Sequence, residues 1–241
     1  MAQQEGRLSQ LPGLQADLKL DRDLLKDLAA ETLRDHISSG RIPEGTRLTE
    51  RELSQLLGIS RMPVHEALII LEAEGLVVSR PDGRYVIELT EQDVRNLHAV
   101  RRTLERFAVE LAAANANDEN RAALEARLRE LEEAVASGDP GACTRRDLAI
   151  HQAIWQQAGN PYLLRILNSM LGLIFVLAVR VELYGRGRSA LLLRRHSELA
   201  DAVSSGDAAG ANQALEVQLE DALGAWLDAF QLQGHMRVRD S

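Results

Sequence analysis

From Thr90 to Leu232 the apolar residues recur with a helical period, in six runs separated by short polar breaks. Such a stretch cannot build a sheet, because strands need alternation at a period of two. Helices are predicted over 90–115, 118–137, 140–158, 161–184, 189–205 and 207–232. Short connections make successive helices antiparallel neighbours, so an all-helical antiparallel bundle is expected over 90–232, with a short tail over 233–241. Two breaks repeat the same chemistry. Ala134-Val135-Ala136-Ser137-Gly138-Asp139 is echoed by Ala202-Val203-Ser204-Ser205-Gly206-Asp207. In each, a glycine ends one helix and an aspartate caps the next.

The most apolar of these segments tests a membrane reading. Between Arg165 and Arg180 the uncharged run is 14 residues long and includes Asn168 and Ser169. A span needs roughly 20 apolar residues, so a helix buried inside the bundle is expected. Residues 1–24 contain no continuous apolar core and no secretory signal. The single cysteine, Cys143, excludes an internal disulfide framework and makes a reducing, cytoplasmic setting the expectation.

The first 89 residues follow a different plan. Residues 1–20 read as a flexible tail and 21–39 as a helix closed by Gly40. Thr49-Glu50-Arg51-Glu52 is a capping-box pattern opening a helix that ends at Gly58. A third helix opens at Ser60, which can cap it, and ends at Gly75, with Pro63 in the first turn where proline is tolerated. Strands over 76–79 and 85–89 flank a Pro81-Asp82-Gly83 turn. Helix, turn, helix and hairpin is the order of a winged helix-turn-helix, with Leu53, Leu57, Ile59, Val64 and Leu68 as its small core. The fold expected is therefore mainly α, a winged helix-turn-helix domain over 21–89 followed by the bundle.

Net charge of −8 means that any contact with nucleic acid rests on a local patch. Residues 25–88 themselves carry 8 Lys/Arg and 11 Asp/Glu. Position matters more than the sum. Arg47, Arg51, Arg61, Arg80 and Arg84 fall at the second helix entry, the recognition helix and the wing, while Glu66, Glu72 and Glu74 lie further along the third helix. The N-terminal end of such a helix enters the major groove, where Arg61 can donate two hydrogen bonds to a guanine.

Three segments resemble the GntR family of bacterial transcription regulators: Ile42 to Glu50, Leu56-Leu57-Gly58-Ile59-Ser60-Arg61-Met62-Pro63-Val64-His65-Glu66-Ala67-Leu68, and Leu71 to Val77. Val100-Arg101-Arg102-Thr103-Leu104-Glu105 is similar to the start of the effector domain in the FadR branch, and six helices suit its shorter, VanR-like form. The resemblance implies a homodimer on a palindromic operator, most often a repressor, answering a small organic acid. It places Arg51, Ser60, Arg61, Met62, His65 and the wing-tip Gly83 at DNA. His65 stands where arginine is usual in the family, and Met62 where threonine is common.

In the second half, Asp147 and His151 lie one turn apart on a face shared with Leu148, Ile154 and Trp155, so both point inward. His196 lies among Leu192, Leu199, Ala200 and Val203. It is ten residues before Gly206, and Gln218 is twelve after it, so two antiparallel helices bring them to one height. The resemblance implies a divalent metal, Zn²⁺ or Ni²⁺, held by Asp147, His151 and His196. Gln218 stands where the branch has a fourth histidine. An amide is a poorer ligand for such ions, although three ligands with an open position make a workable site. Each histidine can equally be a hydrogen-bonded core residue; His36, His98 and His235 are read as structural or exposed. Arg101 shares the face of Leu97, Leu104 and Ala108; it either pairs with Glu105 one turn on or clamps an effector carboxylate.

An enzyme is not expected. A metal-dependent hydrolase or lyase using Asp147, His151 and His196 is the alternative class, but no Ser/His/Asp order, His-Glu-x-x-His or phosphate-binding glycine loop accompanies them. Gly185-Arg186-Gly187-Arg188 is too short for a nucleotide signature.

Overall fold

A computed structural model describes residues 14–184 and 189–239, with side chains described within 23–229. The Gly185-Arg186-Gly187-Arg188 loop, the ring of His235 and the first thirteen residues of the expected N-terminal tail lie outside the described residues.

Capping chemistry sets the boundaries in the first domain. α1 (Leu14–Ser38) precedes β1 (Arg47–Leu48), α2 (Glu50–Leu57), α3 (Arg61–Ala73), β2 (Val77–Arg80) and β3 (Gly83–Val86). Thr49 accepts the Glu52 N–H, and Gly58 closes α2 with φ +68°, a conformation costly for any other residue. Ser60 occupies the N-cap position of α3 with extended backbone, but its hydroxyl makes no capping bond. The strands form an antiparallel sheet in the order β1-β3-β2, with Arg80 opposite Gly83. β1 was not expected; two residues are too short to show alternation. α1 begins at Leu14, inside the expected tail, because Leu14 to Leu20 contains no glycine or proline to stop a helix.

The second half contains α4 (Glu91–Ala114), α5 (Asp118–Ser137), α6 (Pro140–Gln157), α7 (Pro161–Ser169), α8 (Leu171–Tyr184), α9 (Ser189–Ser204) and α10 (Ala208–Arg239). Thr90 and Asp93 form a full capping box at α4. The repeated turn behaves alike at both places. Gly138 and Gly206 take φ of +70° and +77°, and Asp139 and Asp207 each accept backbone N–H groups of the following helix. α10 continues to Arg239, through most of the stretch expected as a C-terminal tail.

The segment expected as one helix over 161–184 is two helices meeting at 43°. The bundle therefore has seven helices among the described residues, and the six-helix, VanR-like count is corrected. The Ser169 hydroxyl bonds back to the Ile166 carbonyl at 2.7 Å, a contact that bends helices. Three residues on, Gly172 lies against Glu74, where a Cβ would come within 2.6 Å of the Glu74 Cβ and 2.7 Å of its carbonyl oxygen. No single helix among the described residues is long and apolar enough to cross a membrane.

The bend gives α8 two employers. Ile174, Phe175 and Leu177 fill the core of the bundle with Trp155, Leu167 and Trp226. Val176, 2% exposed, belongs instead to the core of the first domain with Leu33, Leu53, Val64, Leu68 and Leu71, and Leu173 packs against that cluster. A fully buried aliphatic side chain contributes roughly 1.5–3 kcal/mol, so this seam is a substantial part of either domain's stability.

Gly172→Ala tests the seam. Alanine gains about 1 kcal/mol of helix propensity, but overpacking against backbone costs about 1–3 kcal/mol. Urea unfolding is expected to show net destabilisation; equal or greater stability would contradict the close approach.

Candidate functional site

Two surfaces carry the residues singled out by sequence. On the first domain, Arg51 and Arg61 are exposed and make no side-chain hydrogen bond or ion pair among the described residues. Met62 is 53% exposed beside them. The wing arginines are engaged within the protein, unlike the open basic patch expected. Arg47 donates to the Asp82 carbonyl, and the Gly83 Cα passes so near that a Cβ would sit 2.9 Å from the Arg47 Nε. Arg80 pairs with Glu88 at 3.0 Å and lies 4.8 Å from the Tyr85 ring. Arg84 reaches Glu50 at 3.3 Å and Glu72 at 3.4 Å. Glu50 also meets His65, Oε1 to Nδ1 at 2.6 Å. These pairings join β3, α2 and α3, and linear spacing did not reveal them.

The second surface is internal. Arg101 and Glu105 on α4, Asp147 and His151 on α6, His196 on α9 and Gln218 on α10 come together deep in the bundle. Arg101 pairs with Glu105, and its guanidinium carbon lies 5.6 Å from the Trp226 ring. The other Glu105 oxygen is 2.8 Å from His151 Nδ1. His151 and His196 meet edge to face with centroids 5.3 Å apart. His196 Nδ1 donates to the Leu192 carbonyl at 2.9 Å, while its Nε2 is 2.5 Å from Asp147 and 2.8 Å from the Gln218 amide nitrogen. A cavity of about 130 Å³ opens beside them, lined also by Ile174, Ala178, Arg195 and Trp226. Of the remaining histidines with described rings, His98 is buried on the Leu219 carbonyl at 3.1 Å and His36 bonds the Thr32 carbonyl, both structural.

Electrostatics follow from burial. Desolvation pushes the Glu105 carboxyl up, but the Arg101 charge and the His151 ring outweigh it and hold it down at about 2. Burial acts on Asp147 in the same sense, and the adjacent His196 overcomes it, leaving the carboxyl below its usual range. For His196 burial lowers and Asp147 raises; the ring ends above its usual value.

The ligand atoms of Asp147, His151 and His196 lie within 4.8 Å of one another. Both rings have Nδ1 committed to an orienting partner, which leaves Nε2 as the coordinating nitrogen. Gln218 Oε1 is buried without a partner. The donor set fits a divalent ion with three protein ligands and an amide beside it. The notable residue missed in the sequence is Arg195. It pairs with Asp221 at 3.2 Å across α9 and α10, and its Nε is buried without a partner. Nothing in its spacing distinguishes it from the solvent-facing Arg194.

Residues 25–87 match the bacterial regulatory proteins of the gntR family, and residues 96–221 match the FCD domain. The chain belongs to the GntR-family regulators that carry an FCD effector domain. It is 29% identical to the uncharacterized HTH-type transcriptional regulator YdhC of Bacillus subtilis, over 82% of this chain and 89% of that one. It is 31% identical to the probable D-xylose utilization operon transcriptional repressor of Paenarthrobacter nicotinovorans, over 80% of this chain and 86% of that one. In fold it is similar to E. coli McbR/YncC, with a TM-score of 0.71 and 23% identity over 86% of this chain and 98% of that one. The protein is thus a DNA-binding transcription regulator and not an enzyme; the hydrolase or lyase alternative has no support.

Glu105→Gln tests the buried charge. Ionised Glu105 contributes stability above the unfolded carboxyl range, near pH 4.5, and that contribution disappears as pH falls toward 2. At pH 7 the variant is expected to be about 3–5 kcal/mol less stable, since Arg101 loses its counter-charge. Denaturant unfolding should show the difference shrinking between pH 5 and pH 3. A gap that stays constant with pH would contradict this account.

Proposed function

We propose that the protein is an acid-responsive repressor acting as a homodimer on a palindromic operator in the cytoplasm. Arg51, Ser60, Arg61, Met62 and His65 face the major groove, with the Gly83 turn at the minor groove. A small organic acid occupies the cavity beside His151 and His196, with or without Zn²⁺ or Ni²⁺ on Asp147, His151 and His196. When bound, such an ion supplies a positive charge that holds a carboxylate. Arg101 is largely spent on Glu105, so its part in holding the acid is to fix His151 through that carboxylate. The exposed Val100 and Phe107 lie two turns apart on α4, an apolar stripe suited to a second copy of the chain.

The observation that carries the switch is the double membership of α8. Ile174 and Ala178 line the cavity, while Val176 between them belongs to the core of the DNA-binding domain. A ligand that displaces the cavity face of α8 displaces a residue packed among Leu53, Val64 and Leu68, and so alters the attitude of α3. Only a ligand that binds one arrangement better changes operator affinity.

Fluorescence anisotropy on a palindromic fragment from upstream of the gene tests both halves. Arg61→Ala is expected to weaken binding about 10- to 100-fold, as for loss of a bidentate guanine contact. Carboxylic acids that bind by calorimetry are expected to shift operator affinity. If none of the acids that bind does so, the switch is refuted. Elemental analysis of the purified protein reads the metal directly.

A further inference from the structure

The DNA-binding face differs from the family pattern at His65, and the structure shows what holds that ring. His65 follows Arg61 by one turn of α3 and is 40% exposed. Its Nδ1 lies 2.6 Å from Glu50 Oε1 at the start of α2. The same oxygen is 3.3 Å from Arg84 Nη1 on the wing, and Arg84 Nε is 3.4 Å from Glu72 on α3. Three elements therefore fix the carboxylate that fixes the ring.

A carboxylate only accepts, so the hydrogen of a neutral ring is on Nδ1. Nε2 then carries a lone pair. Arginine has five donors and no acceptor. The exchange thus inverts the polarity of the reading group. In the major groove, guanine and thymine present keto acceptors, whereas adenine N6 and cytosine N4 are amino donors.

We propose that His65 reads one base of each half-site as a hydrogen-bond acceptor through Nε2, choosing adenine or cytosine over guanine or thymine. Glu50 is the positioning residue that sets the tautomer, and Arg84 holds Glu50. This rests on the reading of α3 as the recognition helix.

Selection from a random duplex library by the full-length chain at pH 8 tests the proposal. The wild type and His65→Arg are expected to select one palindrome that differs at a single symmetric position. There the wild type takes adenine or cytosine and His65→Arg takes guanine. Removing the amino group, by placing purine where the wild type selects adenine or 2-pyrimidinone where it selects cytosine, should weaken wild-type binding about tenfold. Glu50→Gln should relax the preference there and leave the rest of the palindrome unchanged. The wild-type selection and the base-analogue measurement need no variant to fold. Identical selections by wild type and His65→Arg, a keto base at that position in the wild type, or indifference to the missing amino group would overturn the proposal. Selection of no sequence by either protein would overturn the reading of α3 itself.

Discussion

Glu105 places a full negative charge where almost no water reaches, and the bundle is organised around keeping it there. Its side chain is 1% exposed. A carboxylate so buried survives only with its lone pairs satisfied and its charge matched. Arg101, on the same helix, matches one oxygen and His151, from α6, orients on the other. This couples α4 to α6 by chemistry as well as by packing. It also fixes the tautomer of the ring whose other nitrogen faces His196 and Asp147. Such a chain of polar groups either has all its members or costs more than an apolar core. The site's geometry and the bundle's integrity therefore depend on one another.

The second dependence is geometric. A regulator must let events in one domain be felt in another, and coupling of a few kcal/mol requires an element whose position both domains set. Val176 and Ile174, two residues apart on α8, face opposite cores. Gly172 lets the helix start flush against the Glu74 carbonyl. A side chain there would hold the domains apart. The start of α8 and the end of α3 are thus in direct backbone contact.

Much of the architecture was legible because local chemistry sets it. Thr49, Thr90 and Asp139 cap helices where their sequence context indicates, and Gly58, Gly138 and Gly206 end them. The convergence of Asp147, His151, His196 and Gln218 was legible too, since the spacing of residues along antiparallel helices fixes relative height. What escaped was decided by neighbours distant in sequence. At the break at Met170, Gly172 lies against the Glu74 backbone nearly a hundred residues away in sequence, and Ser169 is the local sign. Glu105 was visible as Arg101's partner, one turn on, but not as the partner of His151. The wing arginines looked free because Glu50, Glu72 and Glu88 approach them across strands and helices.

The internal pairing of the wing arginines bears on how an acidic protein meets an acidic polymer. The chain carries a net charge of −8, so the long-range field opposes association. Arg47, Arg80 and Arg84 are paired within the protein, so neutralising phosphates with them would mean giving up those contacts. In the proposed reading, the exposed Arg51 and Arg61, unpaired among the described residues, carry the contact with DNA, once in each copy of the dimer. A grip of that kind depends on the spacing of two recognition helices far more than a broad electrostatic one does. Under that proposal, a small displacement of α8, which the two cores share, changes the spacing of the two recognition helices and with it the grip on the operator.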